Sequence, residues 1–137
     1  MNRILGIDYG VARVGLAISD ALGITAQSLD TLTINNNNNI LIEKLKELKE
    51  QYKLQKVVMG YPKHMNGDKS ETSKKIDEII PKIEELGLTV IKWDERLTTV
   101  MAHKTMKELG IKQKEKKTHA DRLAALYILE DYLKSSM

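Results

Sequence analysis

The segment from Ile4 to Gly10 constrains this chain more than any other stretch of it. It opens with the short apolar run Ile4-Leu5-Gly6-Ile7, which is typical of a buried strand. Asp8 follows directly, with a glycine two positions away on each side. An ionised carboxylate at the end of a core strand is costly to desolvate, so it needs a counter-charge. The glycines would let a metal ion or a phosphate–metal complex approach, although a plain strand and turn would give the same pattern.

The composition is that of one globular domain covering residues 1–137. A chain of 137 residues is long enough for one compact domain and short for two. Hydrophobic residues make up 42% and charged residues 30%, and every apolar run is too short to span a bilayer, so we expect no membrane association. The chain has no cysteine and no signal-peptide pattern. These features predict a cytoplasmic location and exclude a thiolate metal site or a thiol nucleophile.

The charge distribution permits a nucleic-acid partner without demanding one. The chain carries 22 basic and 19 acidic residues, a formal net charge of +3. Six lysines crowd into one late segment: Lys104, Lys107, Lys112, Lys114, Lys116 and Lys117. With no Phe and a single Trp, the chain lacks the aromatic residues of a base-stacking platform. Any nucleic-acid contact should therefore be made mainly to the phosphate backbone.

The hydrophobic periodicity predicts an α/β fold. Strands are expected at 4–7, 13–20, 24–34, 56–60 and 88–93, and helices at 40–52, 70–86, 98–109 and 118–133. The short link between the first two strands favours an antiparallel hairpin. The later strand–helix–strand order predicts parallel, right-handed crossovers. Together these elements form a mixed five-stranded sheet with helices on both faces.

Three features of the chain predict where helices start and stop. The run of five asparagines, Asn35 to Asn39, is expected to be a polar loop whose last member caps the helix at 40–52. Pro81 lies inside a helical pattern and should kink or break it. Gly87 is a natural residue to follow the end of that helix.

Three acidic residues stand at the ends of predicted elements. Asp8 follows the first strand, Glu95 follows the last, and Asp121 lies near the start of the last helix, on the side of its core-facing stripe. Because parallel strands present their carboxyl ends at one edge, we expect the three carboxylates to meet there. Such a cluster repels itself unless divalent cations neutralise it, and oxygen ligands suit Mg²⁺ or Mn²⁺. Two such ions are a common arrangement for phosphodiester hydrolysis.

Each of these acids also has an ordinary structural explanation. Asp121 would be a favourable charge near a helix N-terminus. Glu95 would form an ion pair with Arg96 or Arg122. Only the joint placement of the three acids at one predicted edge of the sheet favours a functional site.

Four motifs are similar to those of one known family. They are Gly6–Gly10 with Arg13–Ala17, then Gly60–Gly67, then Asp94-Glu95-Arg96-Leu97-Thr98-Thr99, then Asp121 with Ala124-Ala125 and Ile128-Leu129. This set resembles the YqgF-type family of Holliday-junction-resolvase-like proteins, which includes proposed nucleases for pre-16S ribosomal RNA. The resemblance runs in register from Ile4 to Leu133. The Asp-Glu-Arg-Leu-Thr-Thr string and the loop from Pro62 to Gly67 are its most specific parts.

The resemblance implies a ribonuclease H-like fold and a hydrolase that matures the 5′ end of 16S ribosomal RNA. It also implies that Asp8, Glu95 and Asp121 are the catalytic and metal-binding residues, with Mg²⁺ or Mn²⁺ as cofactor. The sequence departs from the family at Val11 and Ala12, where Thr and Lys are frequent, which would weaken a phosphate contact from that turn.

Seven residues are candidates for binding nucleic acid: Arg13, Lys63, Asn66, Arg96, Lys114, Lys116 and Lys117. The two arginines could hold phosphates through bidentate hydrogen bonds, although Arg96 would equally serve to orient Glu95 or Asp94. The resemblance implies that the loop containing Lys63 and Asn66 faces the substrate. The three lysines would raise backbone affinity beside a phosphodiester site, and elsewhere they would be an ordinary solvated loop.

Four functions remain open from the sequence. The leading hypothesis is a metal-dependent nuclease acting on structured RNA, specifically precursor ribosomal RNA. A resolvase cutting four-way DNA junctions uses the same chemistry and normally acts as a symmetric dimer, so both a monomer and a homodimer remain open. A non-catalytic RNA-binding factor in ribosome assembly would bind RNA without any need for Asp8. A nucleotide-binding fragment of the sugar kinase, chaperone and actin type ranks last, because those proteins clasp ATP between two such domains.

Overall fold

The computed structural model describes residues 3–61, 71–94 and 113–135, with the backbone alone over 113–122. Within these ranges the chain forms six strands and three helices. In chain order they are β1 (Ile4–Asp8), β2 (Arg13–Ser19), β3 (Ala26–Ser28), β4 (Leu32–Thr33), α1 (Asn38–Tyr52), β5 (Lys56–Tyr61), α2 (Glu71–Glu84), β6 (Thr89–Asp94) and α3 (Gln113–Ser135). The predicted helix at 98–109 lies outside the described residues.

The strands form a mixed sheet with β1 at its centre. The strand order is β3-β2-β1-β5-β6, and β4 also pairs with β2. β1 and β2 are antiparallel, with Asp8 opposite Gly15, whereas β1, β5 and β6 run parallel to one another. The predicted hairpin, the parallel pairing and the mixed sheet are therefore confirmed.

The predicted third strand is divided into two, so the sheet has six strands rather than five. Ser28 of β3 pairs with Ala17, and Leu32 of β4 pairs with Val14. Three residues separate Ser28 from Leu32, but only two separate Val14 from Ala17. The extra residue shifts the register between the two pairings and interrupts the ladder, as the extra residue of a β-bulge does.

One face of the sheet packs against α1 and α2 and contains the main core. Alternate residues of β1 and β2 point into it, as the two-residue period of a strand requires. The buried strand residues include Leu5, Ile7, Val14, Leu16 and Ile18, and the buried helix residues include Leu41, Leu45, Leu48, Ile76, Ile79 and Ile83. In α1 the buried stripe begins at Leu41, and the next residue, Ile42, is only partly buried.

The other face of the sheet packs against α3. Ala17 of β2 forms a small buried cluster with Ala125, Leu129 and Leu133 of this helix. Two alanines and no aromatic residue in the cluster allow the helix to approach the sheet closely. Helices therefore cover both faces, as predicted.

Two predicted helix boundaries are corrected by the structure. The residue that caps α1 is Asn37, whose side chain accepts a hydrogen bond from the Asn39 N–H, so the cap is the third asparagine of the run rather than the last. The helix α2 is not broken at Pro81 and continues to Glu84. Pro81 stands near the helix end, where its missing N–H costs one hydrogen bond while its carbonyl still accepts from the Glu85 N–H. Gly87 adopts a φ of 89°, as expected of a residue that follows a helix.

Candidate active site

Asp8 lies at the carboxyl end of the central strand and is half-buried. Its neighbours Leu5 and Ile7 point into the core under α1 and α2. By the alternation of the strand, Gly6 and Asp8 belong to the opposite face, which is the face covered by α3. The sheet thus presents this carboxylate at the edge predicted for it.

Glycines stand on both sides of Asp8 in the neighbouring strands. Gly15 of β2 is its partner in the antiparallel ladder. On the other side, Gly60 of β5 follows Met59, the register partner of Ile7, and so stands beside Asp8. Neither neighbour has a side chain, and a glycine inside a strand often marks a place where a ligand approaches closely. The surface around the Asp8 carboxylate is therefore shaped by backbone on both sides.

Sequence reasoning did not identify these two glycines as neighbours of Asp8. Gly15 and Gly60 each interrupt an apolar strand pattern, which was the available signal. That both lie beside Asp8 is evident only from the pairing of β1 with β2 on one side and with β5 on the other.

Gly6 brings α3 into contact with β1 two residues before Asp8. A Cβ atom on Gly6 would lie 2.9 Å from the Ala125 carbonyl oxygen and 2.9 Å from the Leu129 Cβ. Both distances are far shorter than a normal contact, so only glycine fits here without displacing the helix. The close approach fixes the separation between helix and strand next to the candidate site.

The turn that follows Asp8 brings Arg13 to the same face of the hairpin. A Cβ on Gly10 would lie 2.5 Å from the Arg13 carbonyl oxygen, so the turn closes too tightly for a side chain there. Arg13 begins β2 two residues before Gly15, the ladder partner of Asp8, and therefore shares its face of the sheet. A guanidinium at this position is well placed to contact a phosphate bound near Asp8.

The other two predicted acids are only partly located by the structure. β6 ends at Asp94, on the same carboxyl edge as β1, and Glu95 itself lies outside the described residues. Asp121 lies in α3, one helical turn before Ala125, and its side chain is outside the described part. The shared edge of β1 and β6 is confirmed, whereas the convergence of the three carboxylates stays a prediction.

The predicted nucleic-acid contacts have different outcomes. Lys63, Asn66 and Arg96 lie outside the described residues. Lys114, Lys116 and Lys117 fall within α3, not in the predicted loop, because the helix begins five residues earlier than expected. By the helical repeat, positions 114, 117 and 121 share one face with position 125. The lysine run therefore extends the helix that contacts β1.

The ends of β5 and β6 are fixed to helices on both faces of the sheet. Asp77 of α2 accepts a hydrogen bond from the Tyr61 hydroxyl at 3.0 Å and forms an ion pair with Lys92 at 3.1 Å. The Lys92 ammonium also lies 4.5 Å from the centre of the Tyr61 ring. On the opposite face, the rings of Trp93 and Tyr132 meet edge to face at 5.8 Å. These contacts position the strand end that leads to Glu95.

Within the described residues, no three histidine, cysteine or acidic side chains come close enough to hold a metal ion. Of the three predicted ligands, only Asp8 has a described side chain. Its carboxylate oxygens are the donor type that Mg²⁺ and Mn²⁺ prefer, and the glycines beside it leave room for a hydrated ion. Asp8 and its surroundings thus fit such an ion.

In the described part of the chain, no helix has the length and apolar character needed to cross a bilayer.

Proteins of similar sequence carry one common name. A protein of Acetivibrio thermocellus named "Putative pre-16S rRNA nuclease" is 47% identical over 135 residues, covering 97% of this chain and 96% of the relative. A protein of the same name from Listeria monocytogenes is 44% identical over 135 residues, covering 96% of each.

Two solved structures share the fold. T. thermophilus RuvC in complex with a Holliday junction substrate aligns with a TM-score of 0.59 and 16% identity, covering 100% of this chain and 96% of that one. The fowlpox virus resolvase in complex with Holliday junction DNA aligns with a TM-score of 0.57 and 20% identity, covering 98% and 99%. At these identities the likeness shows the fold alone, and it confirms the expected ribonuclease H-like class.

The sequence profile of one family matches almost the whole chain. Its description is "RuvX: Holliday junction resolvase", and it matches residues 2–135. The match covers every described element, from β1 to the end of α3, and confirms the resemblance inferred from the motifs. This chain belongs to the RuvX family.

Proposed function

We propose that this protein is a metal-dependent nuclease that hydrolyses phosphodiester bonds in structured RNA, and that it trims the 5′ end of pre-16S ribosomal RNA in the cytoplasm. The observation that carries the proposal is the position of Asp8. This carboxylate ends the central strand of a ribonuclease H-like sheet, with Gly15 and Gly60 beside it. The common name of the full-length relatives supports this activity, and membership of the RuvX family supports hydrolysis of phosphodiester bonds.

The catalytic set that we propose is Asp8, Glu95 and Asp121. Asp121 precedes Ala125 by one helical turn, and Asp8 follows Gly6 by two strand residues, so each is about 6–7 Å from the close contact of α3 with β1. Trp93 of β6 contacts Tyr132 of α3, so the end of the strand that precedes Glu95 packs against the same helix. β6 is two strands from β1, about 10 Å away, a distance that side chains and bound ions can bridge.

The carboxylates would hold Mg²⁺ or Mn²⁺ through their oxygens. When bound, a divalent ion supplies charge stabilisation at the phosphoryl group and makes the attacking water more acidic. The chain's own contribution is to fix Asp8 on a rigid strand, so that its oxygens meet the ion and the substrate in one geometry. Arg13, on the same face, would bind a phosphate oxygen and keep the backbone of the substrate in register.

The lysines at the start of α3 would contribute affinity rather than chemistry. Positions 114 and 117 share a helix face with Asp121, so a nucleic acid that reaches the catalytic set would pass along this face. Contacts of lysine with phosphates release counterions and do not depend on base sequence. We propose that Lys114, Lys116 and Lys117 bind the backbone of the substrate, together with Lys63, Asn66 and Arg96 of the family motifs.

RNA is favoured over a DNA junction as the substrate. The relatives named for pre-16S rRNA are 44–47% identical to this chain along almost their whole length. The solved structures with a DNA junction are only 16–20% identical, and they support the fold rather than the substrate. A symmetric resolvase would also need two copies of this chain on one junction.

The test is a cleavage assay on two substrates with the purified chain. One is an RNA that contains the 5′ flank and the start of 16S ribosomal RNA, and the other is an immobile four-way DNA junction. We expect cleavage of the RNA in millimolar Mg²⁺ or Mn²⁺, none in chelator, and no cleavage of the junction. Paired nicks in the junction with intact RNA would favour the resolvase. Binding of RNA without cleavage in either metal would favour the assembly factor.

A second assay separates binding from chemistry. Replacing Lys114, Lys116 and Lys117 together by Ala should weaken RNA binding and reduce the slope of log affinity against log salt by about 2, since three phosphate contacts are lost. The matched control replaces three exposed lysines of α1 and α2, which are Lys46, Lys74 and Lys82. An equal loss of affinity in both triple variants would mean that general charge, rather than this helix, binds the RNA.

A further inference from the structure

An asparagine segment, residues 35–38, holds the turn that follows Asp8. The Asn36 N–H donates to the Val11 carbonyl at 2.7 Å. The Ala12 carbonyl accepts from the N–H groups of both Ile34 and Asn35, at 2.9 and 3.0 Å. Three backbone hydrogen bonds therefore tie the turn between β1 and β2 to the segment that enters α1. Because Ile34 is fully buried, this segment is itself anchored in the core.

A side-chain hydrogen bond reinforces the same connection. The hydroxyl of Tyr9 donates to the Asn38 Oδ1 at 2.6 Å, across 29 residues of sequence. Burial raises the pKa of Tyr9 above its usual value, which keeps the hydroxyl protonated as a donor, and the hydrogen bond to Asn38 opposes only part of that rise. Tyr9 directly follows Asp8, so this bond fixes the backbone next to the carboxylate.

Asparagine suits each of these positions for a separate reason. Asn35 and Asn36 have φ angles of 47° and 62°, in the left-handed region that asparagine tolerates better than most residues. Asn37 caps α1 through its side chain. The Asn36 Oδ1 accepts a hydrogen bond from Lys75 of α2 at 3.0 Å, which links the segment to a second helix. Together with the bond from Tyr9 to Asn38, these contacts give each residue of the segment 35–38 a structural role.

We propose that residues 35–38 are a positioning element for the active site, in which Asn38 acts through Tyr9, and Asn36 through Val11, to hold the Asp8 carboxylate in place. This inference rests on the proposed function, because it assigns the segment a part in that catalysis. Catalytic groups lose much of their effect when they are displaced by a fraction of an ångström to 1 Å. A turn tethered from outside keeps Asp8 in place even as substrate pulls on the neighbouring backbone.

The kinetic test uses four single variants of the chain and the double variant Tyr9→Phe with Asn38→Ala. Asn38→Ala and Tyr9→Phe remove the two ends of one hydrogen bond, Asn38→Asp keeps an acceptor, and Asn39→Ala changes the exposed neighbour in the same run. We expect Asn38→Ala and Tyr9→Phe each to lower kcat about tenfold with KM changed less than twofold. The kcat of the double variant should be no lower than that of the less active single variant, because both changes remove the same hydrogen bond. Asn38→Asp should recover most of kcat, and Asn39→Ala should match the wild type.

A second measurement does not depend on cleavage. In hydrogen exchange, the amide protons of Asn35 and Asn36 should exchange faster in Asn38→Ala than in the wild type, while the melting temperature stays within a few degrees. If Asn38→Ala has the kcat of the wild type, this inference is wrong, whereas the proposed nuclease function is unaffected. The same is true of a kcat loss that only follows a general loss of stability. A wild type that cleaves neither substrate overturns the proposed function, and with it the catalytic role of the segment, whatever the exchange rates show.

Discussion

Asp8 and Asp20 both follow core strands and both precede a turn, but the two turns are stabilised in different ways. The Asp20 carboxylate accepts hydrogen bonds from the N–H groups of Ile24 and Thr25, at 2.8 and 3.3 Å, and so organises its own turn. The turn after Asp8 is organised through the carbonyls of Val11 and Ala12 and the hydroxyl of Tyr9, by a segment that comes later in the chain.

The difference shows two ways to stabilise the turn that comes after an aspartate at the end of a strand. Asp20 forms an ordinary Asp turn, in which the side chain accepts hydrogen bonds from nearby backbone N–H groups. At Asp8 the stabilising groups are other parts of the turn, and a separate segment supplies their partners. Because β2 runs antiparallel to β1, Asp20 also lies at the opposite edge of the sheet from Asp8.

The comparison predicts its largest effect in catalysis. Asp8→Asn keeps the size of the side chain but removes the charge that would hold a metal ion, so the rate of RNA cleavage should fall by about 10³-fold or more. Asp20→Asn, at the other edge, should cleave at the wild-type rate. Single-turnover cleavage of the same RNA measures both. Equal cleavage by Asp8→Asn and the wild type would remove Asp8 from the chemistry, whereas RNA affinity should stay within about twofold for either variant.

A second effect concerns the glycines of the two regions. Gly6→Ala places a methyl group against the Ala125 carbonyl and the Leu129 Cβ, so it should lower the free energy of unfolding by about 2–3 kcal/mol. In Gly23→Ala, in the Asp20 turn, the added Cβ meets no atom within 4 Å. The free energy of unfolding should fall by only about 1 kcal/mol, because a φ of 70° is strained for alanine. Urea unfolding of both variants gives the two values. A larger loss in Gly23→Ala would mean that α3 moves away from β1 at little cost.

The smallest effect is a pH dependence confined to the Asp20 turn. The Ile24 N–H, with help from Thr25, holds the pKa of Asp20 below its usual value of 3.8. A carboxylate with a lowered folded pKa stabilises the fold above its unfolded pKa, and this stabilisation is lost as the pH falls through the folded pKa. The melting temperature of the wild type should therefore exceed that of Asp20→Asn at neutral pH, and the gap should close as the pH falls below 3.8 and through the lowered folded pKa. A gap that stays constant with pH would contradict this.

Much of the fold was predictable because it depends on local patterns. The apolar runs of β1 and β5 are those of strands buried on both faces, and the stripe of α2 has a clear helical period. The start of α3 was missed because lysine-rich sequence suggests a loop, although Lys, Gln and Glu are good helix formers. The break between β3 and β4 was not predictable, because it follows from pairing with β2 and no glycine or proline marks it.

The candidate site was predictable at Asp8 and much less so around it. A strand that ends in an acid flanked by glycines is a local signal. The positions of Gly15 and Gly60 on the two sides of Asp8 depend on strand pairing. Five identical asparagines carry no indication of which one caps the helix. The bond between Tyr9 and Asn38 joins residues too far apart in sequence for any periodicity to connect them.

The tether between the Asp8 turn and the asparagine segment also bears on the order in which the protein folds during synthesis. All of its backbone partners lie between Val11 and Asn36, so this contact requires only the first part of the chain to have left the ribosome. Glu95 and Asp121 emerge much later, and α3, which packs over Gly6, is the last described element to be synthesised. The residues that hold the Asp8 turn are therefore synthesised early, whereas the proposed set of acids is complete only after Asp121 has been made. A nascent chain that ends before Asp121 would lack part of the proposed catalytic set.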